Sequence, residues 1–159
     1  MADRPEAVRL IVGQKSSGET VYENALGIRL NATDVKLVRS PGLALGVAAG
    51  DVIRVGSAGL YTVIRRGGNV VVQIYAEPLL ARSIVPDVEA IGGWWDGGVK
   101  NLTIFTIPVT AKFESIERIL NTLVPKSPSV EWHYGNVYDS VDGVTPLDWW
   151  IGQDLTGNS

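Results

Sequence analysis

Apolar positions in the first half of the chain come in short runs separated by glycine, and in the second half they change period. Val8-Arg9-Leu10-Ile11-Val12 leads into Ser16-Ser17-Gly18, and residues 19–24 answer it, the pattern of a hairpin with polar turn residues between β-rich runs. Residues 35–38 predict a third strand. Gly50-Asp51 then turns the chain into residues 52–55, Ser57-Ala58-Gly59 turns it into 60–66, and Gly67-Gly68-Asn69 returns it into 70–76. Glycine at such points supplies the positive φ that tight hairpins need. Five or so short strands joined in this way predict a small antiparallel barrel-like subdomain, or a strongly curled sheet, over residues 1–66. The stretch "SPGLALGVAAGD", residues 40–51, is too glycine-rich for a helix and too apolar for an exposed loop. It is expected to cap one end of that barrel.

After residue 76 the period becomes helical. Glu77-Pro78 opens a helix, proline being well placed at a first helical position. Leu80, Ile84, Val88 and Ile91 fall on one helical face, with Pro86 kinking the segment or dividing it into two short helices, and Gly92-Gly93 ending it. In "GGWWDGG", Trp94-Trp95 predicts a very short strand and Asp96-Gly97-Gly98 a hairpin turn into a longer strand, residues 102–109. Thr110 is expected to cap the next helix, where Phe113, Ile116, Leu120 and Leu123 form an amphipathic stripe that Pro125 and Pro128 stop. "VEWHY", residues 130–134, is the last strand.

The order strand, helix, strand, strand, helix, strand over residues 67–136 is that of the split βαβ, or ferredoxin-like, arrangement. Each helix carries one apolar stripe, and a shared sheet face is what would cover both. Successive strand residues point to opposite faces, so only one of Trp94 and Trp95 can face the helices. Both faces of strands 70–76 and 102–109 are substantially apolar, so both should be covered. The fold class expected is therefore α+β: a barrel-like subdomain packed on a ferredoxin-like one, in one cooperative unit. An acidic, aromatic tail, residues 137–159, is expected to be partly ordered.

The segments "GLALGVAAGDVIRV", "GNVVVQIYAEPLLARSI", "IFTIPVTAKFESIERIL" and "VEWHYGNVYD" together resemble the bacterial domain-of-unknown-function family numbered 4265. The shared features are a "GDV" strand after a Gly/Ala-rich stretch, a "GN" hairpin into a central strand, and an "IPV" strand before the last amphipathic helix. The resemblance covers about residues 7–139 and implies no catalytic residue at any position.

Composition narrows the chemistry. The chain has 159 residues, a mean hydropathy of +0.14 and no cysteine, which excludes disulfides, thiolate nucleophiles and cysteine-bound metals. No apolar run approaches the roughly 18–20 residues of a membrane helix. The opening "MADRPEAVRL" lacks the apolar core of a signal peptide, so a cytoplasmic protein is expected, with Asn31-Ala32-Thr33 and Asn101-Leu102-Thr103 chance glycosylation triplets. Net charge is −3 but uneven: residues 1–85 hold 10 Lys/Arg against 7 Asp/Glu, and residues 86–159 hold 4 against 10. Such asymmetry can attract a partner.

Six residues stand out as candidates for binding. Trp94 and Trp95 offer aromatic surface. Arg65 and Arg66, beside Gly67-Gly68, could meet a phosphate, although no phosphate-loop motif accompanies them. Glu131 and His133 share a strand face and could move a proton. No nucleophile motif or second histidine supports them, so a solvated pair on an edge strand is the plainer reading. Tyr75 and Phe105 sit where RNA-binding sheets carry stacking aromatics, but the required signature is absent and that half is acidic, which argues against nucleic acid. Asp139, Asp142, Asp148 and Asp154 lack the spacing of a calcium loop, and no metal or cofactor is expected. The sequence thus points to a non-enzymatic binding or protein-interaction module, monomeric or homodimeric, with a protein or small-molecule partner. A small-molecule sensor using the edge of the ferredoxin-like part is the alternative, and an enzyme built on Glu131 and His133 comes third.

Overall fold

The computed structural model describes residues 4–152. Two antiparallel sheets carry the fold. In the first, β1 (Glu6–Gln14), β2 (Thr20–Arg29), β3 (Asp34–Leu37), β4 (Val52–Val55) and β5 (Tyr61–Arg65) lie side by side in chain order. The second holds β6 (Asn69–Tyr75), β7 (Trp94–Val99), β8 (Leu102–Pro108) and β9 (Glu131–Tyr134) in the order β7-β8-β6-β9. Helices α1 (Pro78–Arg82) and α2 (Val85–Ala90) join β6 to β7, and α3 (Phe113–Leu120) joins β8 to β9. The fold class is α+β.

The expected barrel does not close. Among the described residues β1 and β5 remain the two edges of an open sheet. The sheet curls until the turn between β4 and β5 lies against β1. A Cβ on Gly59, which has φ +79°, would meet Ile11 N at 3.0 Å and Arg9 O at 3.1 Å. A turn packed that tightly against β1 blocks its edge where closure would need a strand.

The central strands β6 and β8 of the second sheet are buried on both faces, as their sequence predicts. Directly opposed residues of paired strands share a face. Val70 opposes Ile107 and Val72 opposes Phe105, and this face packs with Ile84, Val88, Ile116, Leu120 and Leu123 of the helical layer. Burying each such side chain is worth about 1.5–3 kcal/mol. Proline divides α1 from α2 as expected, and the Glu77 carboxylate caps α1 by accepting from the N–H groups of Leu79 and Leu80, at 3.2 and 3.1 Å. Thr110 does not cap α3. Lys112 occupies that position with φ 72° and makes no side-chain cap. The apolar stripe sets the helix, and the preceding turn is tightened by the Lys112 N–H on Val109 O at 3.0 Å.

The other face presents Val71, Gln73, Leu102, Ile104 and Thr106, and residues 40–51 cover it. This segment is no end cap. Ala44 and Val47 enter the core of the first sheet, while Ala48 packs with Val71, Leu102 and Ile104 between the sheets. Hydrogen bonds fasten it to the second sheet: Gly46 N to Gly135 O (2.8 Å), Asn69 Nδ2 to Ala49 O (2.7 Å) and Gln73 Nε2 to Gly42 O (2.8 Å). Buried Asp51 anchors its end by accepting from Ala48 N (3.0 Å), Gly67 N (2.8 Å) and Arg66 Nη1 (3.3 Å).

The hairpin β7–β8 differs from the pattern read in the sequence. Val99 opposes Leu102, so the turn is Lys100-Asn101, and Asp96 is a bulge within β7. Asp-Gly is a strong turn signal, but here the Asp96 side chain is drawn inward by tertiary partners, and the strand continues through both glycines.

The chain reverses from β5 to β6 where Gly67 abuts Gly50, and a Cβ on Gly67 would lie 2.3–2.6 Å from the Gly50 backbone. Gly67→Ala is therefore expected to destabilise the protein by about 2 kcal/mol or more, measured by denaturant unfolding. Gly56→Ala, at an open position with φ −94°, should cost clearly less.

Candidate functional site

Strand alternation separates the two tryptophans. Trp94 opposes Thr106 on the face toward residues 40–51, and its Nε1 donates to Asp96 Oδ1 at 2.9 Å. Trp95 opposes Phe105 on the helix side, where the Arg82 guanidinium lies 4.3 Å over its ring. Both rings are half-spent on internal partners. Arg66 is also engaged internally: it donates to Gly46 O at 2.7 Å, pairs with Asp51, and lies 5.5 Å from the centre of the Trp149 ring. Arg65 is exposed on β5. Glu131 and His133 do share a face, opposite Tyr75 and Gln73, but His133 Nε2 stands 3.8 Å from Glu131 Oε2 and both side chains are mostly in water. β7 and β9 occupy opposite edges of the sheet, about 14 Å apart at three strand spacings. The six candidates form no single site.

Two hollows flank the sheet. The one on the β7 side, of about 250 Å³, is walled by β2, residues 39–43 and the start of the β7–β8 hairpin. Its carboxylates are already engaged. Glu23 accepts from the N–H groups of Gly42, Leu43 and Ala44 at 2.7–2.9 Å. Thr106 donates to Asp96 Oδ2, Ser40 Oγ lies 2.6 Å from Thr106 Oγ1, and Ala49 N donates to Ser40. With the Thr106 proton on Asp96, the Ser40 hydroxyl donates to Thr106. Burial pushes the Asp96 carboxyl above its ordinary 3.8, against the pull of Thr106, Trp94 and Ser40. This chain clasps the two sheets together.

The second hollow, of about 460 Å³, is a furrow between the free edge of β9 and the returning tail, walled by Trp132, Tyr134, Tyr138, Asp139, Ser140 and Glu117 among others. Its position follows from Asn136. Beyond Gly135 the Asn136 side chain continues the ladder in place of backbone, accepting from Val71 N at 2.9 Å and donating to Asn69 O at 2.8 Å. The backbone is thereby free to turn away. Trp149 Nε1 donates to Asn136 O at 2.7 Å and brings the tail back beside β9. Asp139 and Asp142 tighten the intervening loop by accepting from the N–H groups of Val141 and Val144, at 2.7 and 2.8 Å. On the floor, Tyr134 Oη donates to Glu117 Oε2 at 2.8 Å, and burial, reinforced by that carboxylate, pushes the Tyr134 phenol well up.

Gly135 N donates to Val71 O at 2.9 Å, so by antiparallel alternation His133 and Glu131 also turn their amide groups toward β6. Trp132 and Tyr134 turn theirs outward, into the furrow, on an edge that no described strand covers. Two smaller hollows, of about 320 and 130 Å³, adjoin the furrow and share Tyr138 as a wall. Sequence reasoning missed Glu117, Trp132, Tyr134 and Tyr138. Nothing local brings α3 to β9; the only signal was the aromatic density of "VEWHYGNVY". Of the four acids singled out in the tail, Asp154 lies outside the described residues.

A family model described as Domain of unknown function (DUF4265) matches residues 23–130, from within β2 to the residue before β9. The chain belongs to that family. This DUF4265 member is also similar to a hypothetical protein from Neisseria gonorrhoeae whose crystal structure is known, at 14% identity and a TM-score of 0.63, over 85% of this chain and 96% of that one. The likeness shows a common fold. No curated protein matches. Among the described residues no helix is long and apolar enough to cross a membrane.

Thr106→Val tests the clasp. It leaves Asp96 and Ser40 short of a partner in a buried place and should cost about 1–3 kcal/mol at neutral pH. The folded-state value of Asp96 is raised, so its contribution to stability is fully present below the ordinary value and lost as pH rises through the raised one. Removing the Thr106 hydrogen bond deepens that loss. The gap between wild type and variant in urea unfolding is therefore expected to shrink as pH falls from 7 to below 4.

Proposed function

We propose that this protein is a non-enzymatic interaction module that holds an extended segment of a protein partner along the free edge of β9. One observation carries the reading: the outward amide groups of Trp132 and Tyr134 open into a furrow of about 460 Å³ whose far wall is a loop braced by side chains. Strand addition to such an edge supplies backbone hydrogen bonds, and the pockets beside it supply selectivity. With four residues in β9, the backbone alone offers few bonds, so the aromatic walls must provide much of the affinity. Ser140 is the one serine on the furrow and makes no hydrogen bond to a histidine or carboxylate among the described residues, which supports binding over catalysis.

The same reading treats the second sheet and its helices as ferredoxin-like. The strand order β7-β8-β6-β9, all antiparallel, with α1, α2 and α3 contributing to one core, supports it. In that arrangement β9 is an edge by construction. The alternative, a small-molecule sensor, would use the hollow beside β7. There the carboxylates of Glu23 and Asp96 are taken up by internal hydrogen bonds, which leaves Arg39 and Asn24 as the polar side chains a ligand would meet.

Selection from a library of displayed random peptides tests the proposal. Enriched peptides should shift the amide resonances of residues 131–135 on titration. Tyr138→Ala, at a position 40% exposed, should weaken them about tenfold, equivalent to about 1.4 kcal/mol. A footprint centred on β7, or no enrichment at all, would overturn it.

A further inference from the structure

We infer that the segment received by the furrow is basic, and that an arginine side chain occupies the space between Glu117, Asp139 and Tyr138; this rests on the strand-addition reading above. The furrow is lined by the carboxylates of Glu117 and Asp139, by aromatic faces, and by His133 and Leu45, with no lysine or arginine on its walls. Glu117 spends one oxygen on the Tyr134 hydroxyl. Asp139 accepts from Val141 and Asp142 N–H groups through Oδ1 alone. Neither carboxylate pairs with a cation among the described residues.

Gln73 also lines the furrow, 6% exposed and fixed by its Nε2 donating to Gly42 O at 2.8 Å. The two carboxylates, each with one oxygen that accepts nothing among the described residues, would together suit a donor-rich cation.

Guanidinium fits better than ammonium. Its planar fork offers five N–H donors to acceptors lying in different directions, and its face stacks on aromatic rings. The protein uses this chemistry three times internally. Arg66 lies against Trp149 while bonding a carboxylate and a carbonyl, Arg82 covers Trp95 at 4.3 Å, and Arg9 covers Tyr22 at 3.9 Å. Charge agrees at longer range, since residues 86–159, which supply most of the furrow, hold 10 acidic against 4 basic side chains. That field would attract a basic segment and repel an acidic one.

Fluorescein-labelled hexapeptides of an alternating Thr/Val host, with Arg, Lys, Gln or Glu at one central position, test the inference by fluorescence anisotropy, alongside unlabelled free arginine as competitor. The expected order of affinity is Arg, Lys, Gln, Glu, with about a hundredfold between the ends and the Arg advantage falling as salt is raised. The double variant Glu117→Gln, Asp139→Asn keeps an acceptor for Tyr134 and for Val141. It should bring the Arg peptide to the affinity of the Gln peptide and leave the Gln peptide unchanged, with unfolding temperature unaltered. Equal binding of all four peptides with shifts still centred on β9 would overturn the arginine assignment and leave the strand-addition reading standing. Binding of free arginine without any of the peptides, or of no probe at all, would overturn both.

Discussion

Everything in this fold hangs on covering the second face of the β6–β8 pair. Helices bury Val70, Val72, Phe105 and Ile107, but Val71, Leu102 and Ile104 on the reverse are equally apolar and pack against Ala48. A strand or helix inserted there would push the layers apart. Residues 40–51 lie close to the sheet because half of them are glycine or alanine, and their backbone groups are bonded to side chains from both sides: Glu23 from the first sheet, Gln73 and Asn69 from the second. A buried loop with unsatisfied amides would cost more than its apolar contacts return. Here the polar side chains at the joint let an irregular segment serve as an inner layer.

The furrow is a by-product of the same solution. Residues 40–51 reach as far as Gly135, where Gly46 donates its N–H, and there the coverage of the second sheet ends. Beyond that point β9 has a neighbour on one side only. The tail comes back through Trp149 and leaves a gap one chain wide in place of a closed edge. Natural sheets usually defend an open edge with lysine, proline or a bulge. β7, at the opposite edge, has a bulge and two glycines, and β9 has neither. The contrast between the two edges of one sheet, together with the unpaired acids beside β9, is the reason to read that side as a binding surface.

Much of this was legible from periodicity. The alternation in 70–76 and 102–109, the stripe Phe113, Ile116, Leu120, Leu123 and the proline break between α1 and α2 each follow from local steric rules and burial. What failed were places where distant groups overruled a local preference. Asp96-Gly97 reads as a turn, yet Thr106, Trp94 and the N–H of Ser40 hold the Asp96 carboxylate, and the chain runs straight on through a bulge. Arg66 reads as a free charge that could meet a phosphate, yet Asp51 and Gly46 claim it. The two tryptophans turn to opposite faces, as the alternation of the pleat requires.

By itself the sequence determined the class of structure: which segments alternate, which are helical, which sheet must be covered twice, and that the later half is acidic. These are properties of residues a few positions apart and of simple sums, so no coordinates are needed to see them. Tertiary structure alone decided whether the first sheet closes, where the irregular segment lies, and which polar groups remain unpaired beside β9. Those outcomes depend on contacts between residues tens of positions apart, such as Gln73 with Gly42 and Glu117 with Tyr134. Their geometry exists only once the layers have packed.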